Sequence, residues 1–263
     1  MDRGLFPPAR LCVLAAGPAE LAAASVFAMH RVAAELVLSP TAEAVWIDAR
    51  GSFSGLVLRD VVTAHLRDSA DESITGDSVC DRVSVVRVFD PTGLRETVAE
   101  LEKDTTAPLV LVLDSFSALF SPHTALRHRE MADALAQLGD VVRARQIIAF
   151  LLSSAVSALP SDPVQSQFGA VALKPALGLS FLYTIDLCAL VYREADSDSL
   201  IFEVVADRWQ ASEGLLLPFR LVRLVLSFLL FTLSNPRRTI PSSSLYLNIL
   251  YSSITHTQQK HQK

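Results

Sequence analysis

A chain of 263 residues that is 51% hydrophobic can bury one large core or at most two small ones. Its net charge of -5 gives no global attraction for DNA or RNA, so any nucleic-acid contact must come from a local patch. Cys12, Cys80 and Cys188 stand far apart with no CxxC pair, which argues against disulfide staples and a zinc site and fits a reducing compartment.

The mean hydropathy of +0.36 is high for a soluble protein, and a parallel sheet covered on both faces would produce it. The opening "MDRGLFPPAR" lacks the apolar core of a secretory signal. Short β-branched runs then alternate with longer helical ones, the pattern of a doubly wound α/β domain. Strands are predicted at 11–14, 44–48, 84–88, 109–113, 147–152, 185–192 and 200–205.

After the first strand, "GPAEL" reads as a helix N-terminus, with Pro18 in the first turn and Glu20 near the positive end of the dipole. The stretch 67–82, "RDSADESITGDSVCDR", is polar and acidic and reads as a surface loop before the third strand. In "DPTGLRETVAELEK", Asp90 can cap a helix, Pro91 suits its first position, and Leu94, Val98 and Leu101 line one face. A longer helix follows the fourth strand, with Met131, Leu135, Leu138 and Val142 as its buried stripe. Arg127, Arg129, Arg143 and Arg145 form its solvated face.

Beyond Arg220 the composition changes, and no Asp or Glu occurs from Gly214 to Lys263. Pro218, Arg220 and Arg223 interrupt the apolar run 215–233, and Leu224 to Leu233 is about half of the ~20 apolar residues that a spanning helix needs. The domain reading is therefore a core over 1–220 and a low-complexity tail over 221–263, with no membrane insertion.

The fourth strand, "LVLVL", runs into Asp114, the place where nucleotide-binding α/β proteins keep an acid for the magnesium of a triphosphate. Such proteins place GxxxxGK[ST] after the first strand, where glycines let backbone N–H groups wrap the phosphates, the lysine neutralises charge and the hydroxyl binds magnesium. Here Gly17 is the only glycine between that strand and the next, and Pro18 and Ala19 follow it. The helix start remains and the phosphate chemistry has gone.

"VWIDARGSF" followed by "LVLVLDSFSALFSP" resembles the ATPase core of the RecA-like eukaryotic recombinases and their paralogues. "ALKPALGLSFLYTIDLCALVYRE" is similar to the segment after the second DNA-binding loop in the D-type branch of the Rad recombinase family, and "RVSVVRVFDPTGLRETVAELE" resembles an earlier strand and helix of that branch. The likeness spans roughly residues 11–220, in order. It implies a RecA-like core with a mainly parallel central sheet.

Set against that family, Pro18 stands for the phosphate lysine, Ala19 for the magnesium hydroxyl, and Arg50 for the glutamate that activates water. Ser153, Ser154 and Ala155 replace a polar sensor after the fifth strand. Gly17 and Asp114 are then vestiges of a cofactor site, with Asp114 read as a strand-end acid capping a neighbouring turn, and neither ATP nor magnesium is expected unless the degenerate site still binds them. The segment 156–172, aligned with the second DNA-binding loop, has no Lys or Arg and only Phe168 as an aromatic, so DNA contact is expected through a complex.

The resemblance implies a non-catalytic paralogue subunit in nuclear homologous-recombination repair, acting by assembly with other paralogues and support of the recombinase filament. Lys174, Pro175 and Gly178 are its interface candidates, since the corresponding segment faces the neighbouring protomer in RecA-like filaments. The alternative is a degenerate RecA-like scaffold of an RNA-modification complex. An active DNA-dependent ATPase would require an upstream exon to supply the missing loop.

Overall fold

The computed structural model describes residues 6, 8–67, 74–103, 110–120, 125–158, 172–176, 181, 183–194, 199–209, 214–222 and 225–228. Its centre is a ten-stranded sheet in the order β10-β9-β8-β7-β1-β5-β4-β2-β3, with β6 paired to β5 off that path. The strands are β1 (Arg10–Ala16), β2 (Ala44–Asp48), β3 (Val83–Arg87), β4 (Val110–Asp114), β5 (Ile148–Ser157), β6 (Leu173–Pro175), β7 (Leu187–Arg193), β8 (Leu200–Asp207), β9 (Leu216–Val222) and β10 (Val225–Phe228). From β3 to β7 along that order every pairing is parallel, whereas β8, β9 and β10 extend the sheet antiparallel.

Both faces of the central strands β1, β4, β5 and β7 are covered, which is why they are continuous apolar runs without alternation, whereas the edge strand β3 is largely exposed. On one side lie α1 (Leu21–Leu38), α2 (Gly55–Arg67) and α3 (Gly76–Cys80); on the other lie α4 (Pro91–Lys103), α5 (Phe116–Leu119) and α6 (Ala125–Arg145). Side chains of β1 alternate between the two cores: Cys12 and Leu14 join the first, Leu11 and Val13 the second. Ala24, Ala28 and Ala33 on α1 are fully buried, and their small size lets the helix lie close on the sheet. This helix is long and apolar enough to cross a membrane by length and composition, yet 61% of it is buried inside the protein.

A local signal sets the head of α4. The carboxylate of Asp90 accepts from Gly93 N–H at 2.8 Å at the head of α4, with Pro91 as its first residue and Leu94, Val98 and Leu101 buried. On α6 the stripe of Met131, Leu135, Leu138 and Val142 is buried as expected, while Arg127 and Arg143 pair with Glu130 and Asp140 within the same helix.

Three features depart from the sequence reading. The helix after β1 begins at Leu21, so Pro18 lies in a tight turn ahead of it and not in its first turn. Within the acidic stretch 67–82, residues 76–80 form α3, headed by Thr75 in a reciprocal capping box with Ser78. Finally, the sheet crosses the expected boundary at residue 220, because β9 continues to Val222 and Val225–Phe228 pairs with it as β10. Residues beyond 228 lie outside the described residues, as do 159–171, which hold most of the stretch aligned with the second DNA-binding loop.

Candidate functional site

Parallel strands all end at the same edge, so the loops after β1, β2, β4 and β5 converge on one site. Asp48 and Asp114 close β2 and β4 and are direct partners in the strand register. Both are buried, yet they are held in opposite ways.

Asp48 is wrapped by backbone. Its Oδ1 accepts from the N–H groups of Arg50, Gly51 and Ser52 at 3.2, 2.7 and 3.1 Å, and its Oδ2 accepts from Phe53 N–H at 3.2 Å. Gly51 makes this loop possible, since its φ of 73° lies in the left-handed region. Burial alone would raise the carboxyl, but the four donors outweigh it and hold Asp48 below its ordinary range.

Asp114 is ringed by hydroxyls. Ser25 from α1 and Ser52 from the β2–α2 loop donate to its Oδ2 at 3.1 and 3.2 Å, and Ser115 donates to its Oδ1 at 3.0 Å. Burial pushes this carboxyl up; the three hydroxyls pull it back in part, and the charge of Asp48 adds to the rise. Ser115 itself sits at φ 65°, a strained conformation for a non-glycine residue and one that costs about 1 to 2 kcal/mol. The turn-capping role expected of Asp114 therefore belongs to its neighbour Asp48.

Four residues, Gly17, Pro18, Ala19 and Glu20, join β1 to α1, closed by Glu20 N–H donating to Gly17 O at 3.0 Å. Glu20 folds its carboxylate back over Gly17, so that a Cβ on Gly17 would lie 2.7 Å from Oε2. The hydroxyl that reaches Asp114 from this side is Ser25, one turn inside α1, and sequence reasoning missed it. It lies in an alanine-rich apolar helix with no motif around it. In GK[ST] the lysine directly precedes the hydroxyl, and Ala24 stands there. Whichever residue is aligned with the motif, no Lys or Arg occurs between Gly17 and Met29.

These residues do not fit a magnesium triphosphate. The four residues between β1 and α1 are too few to wrap phosphates, the segment from Gly17 to Met29 carries no Lys or Arg, and Glu20 puts a negative charge above Gly17 where an anion would have to sit. Arg50, at the position of the water-activating acid, has an exposed side chain. On β5, Ser153 is buried, and Ser154 donates its N–H to Ser117 Oγ at 3.0 Å while that hydroxyl donates to Ser154 Oγ at 3.2 Å. Burial pushes the thiols of Cys12 and Cys188 up, the latter to about 12, so neither serves as a thiolate nucleophile.

Of the interface candidates, Lys174 and Pro175 belong to β6, in register with Val156 and Ala155 of β5; Lys174 is half-buried and Pro175 buried. Gly178 lies outside the described residues.

The strand order, the helices on both faces and the pair of strand-end acids define a RecA-like fold of the P-loop NTPase type. Among solved structures the chain is similar to the RadB recombinase, with a TM-score of 0.61 and 16% sequence identity over 84% of this chain and 91% of that one. At that identity the likeness is one of fold. No protein-family model matches the sequence, and no curated protein matches it.

Proposed function

We propose that the chain is a non-catalytic RecA-like subunit in homologous-recombination repair, acting in the nucleus by assembling with recombinase paralogues and supporting the recombinase filament. The observation that carries the non-catalytic part is the site itself. Asp114 keeps its strand-end position, but only four residues join β1 to α1, no Lys or Arg lies between Gly17 and Met29, and Glu20 stands over Gly17 where phosphates would sit. The recombination setting is supported by the fold likeness to a recombinase and by the ordered sequence resemblance to the D-type branch.

Affinity purification of the tagged chain from its own cells tests the reading. Recombinase paralogues are the expected companions, and tRNA-modifying subunits in their place would overturn it in favour of an RNA-modification scaffold. The purified chain is also expected to show no ATP hydrolysis above background. A magnesium-dependent turnover abolished by Asp114→Asn would overturn the non-catalytic part alone.

A further inference from the structure

Helices α1 and α2 pack against each other over the sheet, and two half-buried histidines meet between them. His30 Nδ1 on α1 lies 3.2 Å from His65 Nε2 on α2, with the ring centroids 5.3 Å apart and the ring planes at 61°. At that distance a proton must sit between the two nitrogens, because two facing lone pairs would repel; one ring donates and the other accepts. The accepting ring is therefore neutral.

That condition ties the contact to the number of protons on the pair. With both rings neutral the bond holds, and one added proton strengthens it by making the donor a cation. A second proton removes the acceptor and sets two like charges together. Around the pair, Arg31 and Glu35 of α1 bridge each other, Arg59 of α2 bridges Asp77 of α3, and Asp60 and Arg67 of α2 are exposed. Glu20 at the head of α1 is folded over Gly17, Asp114 on the strand side of α1 is ringed by hydroxyls, and β10 has no charged side chain. Burial raises the thiols of Cys12 and Cys80, so both stay neutral where imidazoles titrate.

We propose that His30 and His65 form a proton-operated latch between α1 and α2, closed while either ring is neutral and opened when both are protonated. The pair titrates as a unit, in two steps on either side of the ordinary imidazole value near 6.5, so the opening step falls at about pH 5. The first proton is held more tightly in the folded chain than in the unfolded one and adds stability as the pH falls; the second is held less tightly and removes it. The latch reaches the candidate site, because Ser25 on α1 and Ser52 in the loop leading into α2 share one oxygen of Asp114. The inference is independent of the assembly reading above.

Amide hydrogen exchange of the full chain tests it, with α4 on the opposite face of the sheet as internal reference. Between pH 7 and pH 5, protection of the α2 amides, corrected for intrinsic rates, is expected to fall ~10-fold or more relative to α4. His30→Asn and His65→Gln each keep a neutral hydrogen-bonding group near the replaced nitrogen and cannot take up the proton, so the fall should shrink to ~2-fold or less in both. Nitrogen NMR of the wild-type imidazoles should show the two rings taking up protons in separate steps. The same fall in wild type and variants, equal loss in α2 and α4, or two independent identical titrations would overturn the proposal. So would a zinc-dependent rise in thermal midpoint at neutral pH that is lost in both variants, which would make the pair a metal site.

Discussion

The hydroxyl of Ser25 donates to Asp114 across 89 positions of sequence at 3.1 Å, tying α1 to the end of β4. The same oxygen accepts from Ser52. An acid satisfied by hydroxyls alone, next to a second buried acid, is held by geometry and opposed by charge.

Asp114→Asn tests that balance. The amide oxygen still accepts from Ser25 and Ser52, and the amide N–H can meet the Ser115 oxygen. A raised folded pKa means that the carboxyl costs stability once the pH exceeds its folded value, and this cost disappears as the pH falls toward the unfolded value near 3.9. The variant is expected to be within about 1 kcal/mol of wild type, or more stable, at neutral pH, with the difference shrinking in acid. Urea denaturation at several pH values measures it, and a loss of several kcal/mol at neutral pH contradicts it.

Asp48→Asn should behave in the opposite way. A depressed folded pKa gives stability that is fully present above the unfolded value near 3.9 and is lost as the pH falls through the folded one. The amide keeps one acceptor for four donors, so a loss of about 2 to 3 kcal/mol at neutral pH is expected, together with a flatter acid limb. An acid-unfolding profile identical to that of wild type would assign the acid limb to other groups.

Arg82 closes the C-terminal end of α1. Its guanidinium donates to the carbonyls of Leu36, Ser39 and Ala42 at 2.8, 2.8 and 2.9 Å, and Nε donates to Ser78 O at 3.2 Å. Arg82→Ala strips a cation and its hydrogen bonds from helix-end carbonyls, and a loss of about 2 to 4 kcal/mol is expected. Arg82→Lys should recover only part of it, because a single ammonium cannot span the fork. Equal midpoints for Arg82→Ala and wild type in chemical denaturation would rule this clamp out.

Two shortened chains separate the contribution of β9 and β10 from that of the residues C-terminal to them. A chain ending at Ser234 keeps both strands and should unfold in one cooperative transition with the midpoint of the full chain. One ending at Gly214 lacks both strands and leaves the edge of β8 unpaired, so it should melt lower and aggregate. Calorimetry and light scattering of the two decide it, and equal behaviour would show that β9 and β10 add nothing to the core.

Much of the fold is legible in the sequence because buried parallel strands leave unbroken apolar runs, as in "LVLVL" and "AVWID", and because Asp90 and Pro91 announce a helix in the usual way. The edge strands β9 and β10 are hidden by composition, since the same run of leucines suits a tail, a membrane segment or a strand. The site is legible only in outline. Two acids end two apolar strands, and nothing in the sequence alone says which receives backbone donors; the glycine in "DARGSF" is the one cue that the turn belongs to Asp48. Ser25 and Arg82 leave no local signal, because each acts on a segment remote in sequence.

The position of β1 has a consequence for synthesis. It lies between β5 and β7, and Leu11 N–H donates to Asp186 Oδ2 at 2.9 Å, 175 positions further along. Its earlier neighbour, β5, begins 138 positions after Arg10 (148 − 10), so at ribosomal rates "LCVLAA" has no partner strand for roughly 7 to 28 s, and β7 follows later still. The β1 segment therefore leaves the ribosome long before it can be enclosed on both sides, and until then the nascent chain presents a bare strand on which a chaperone can act.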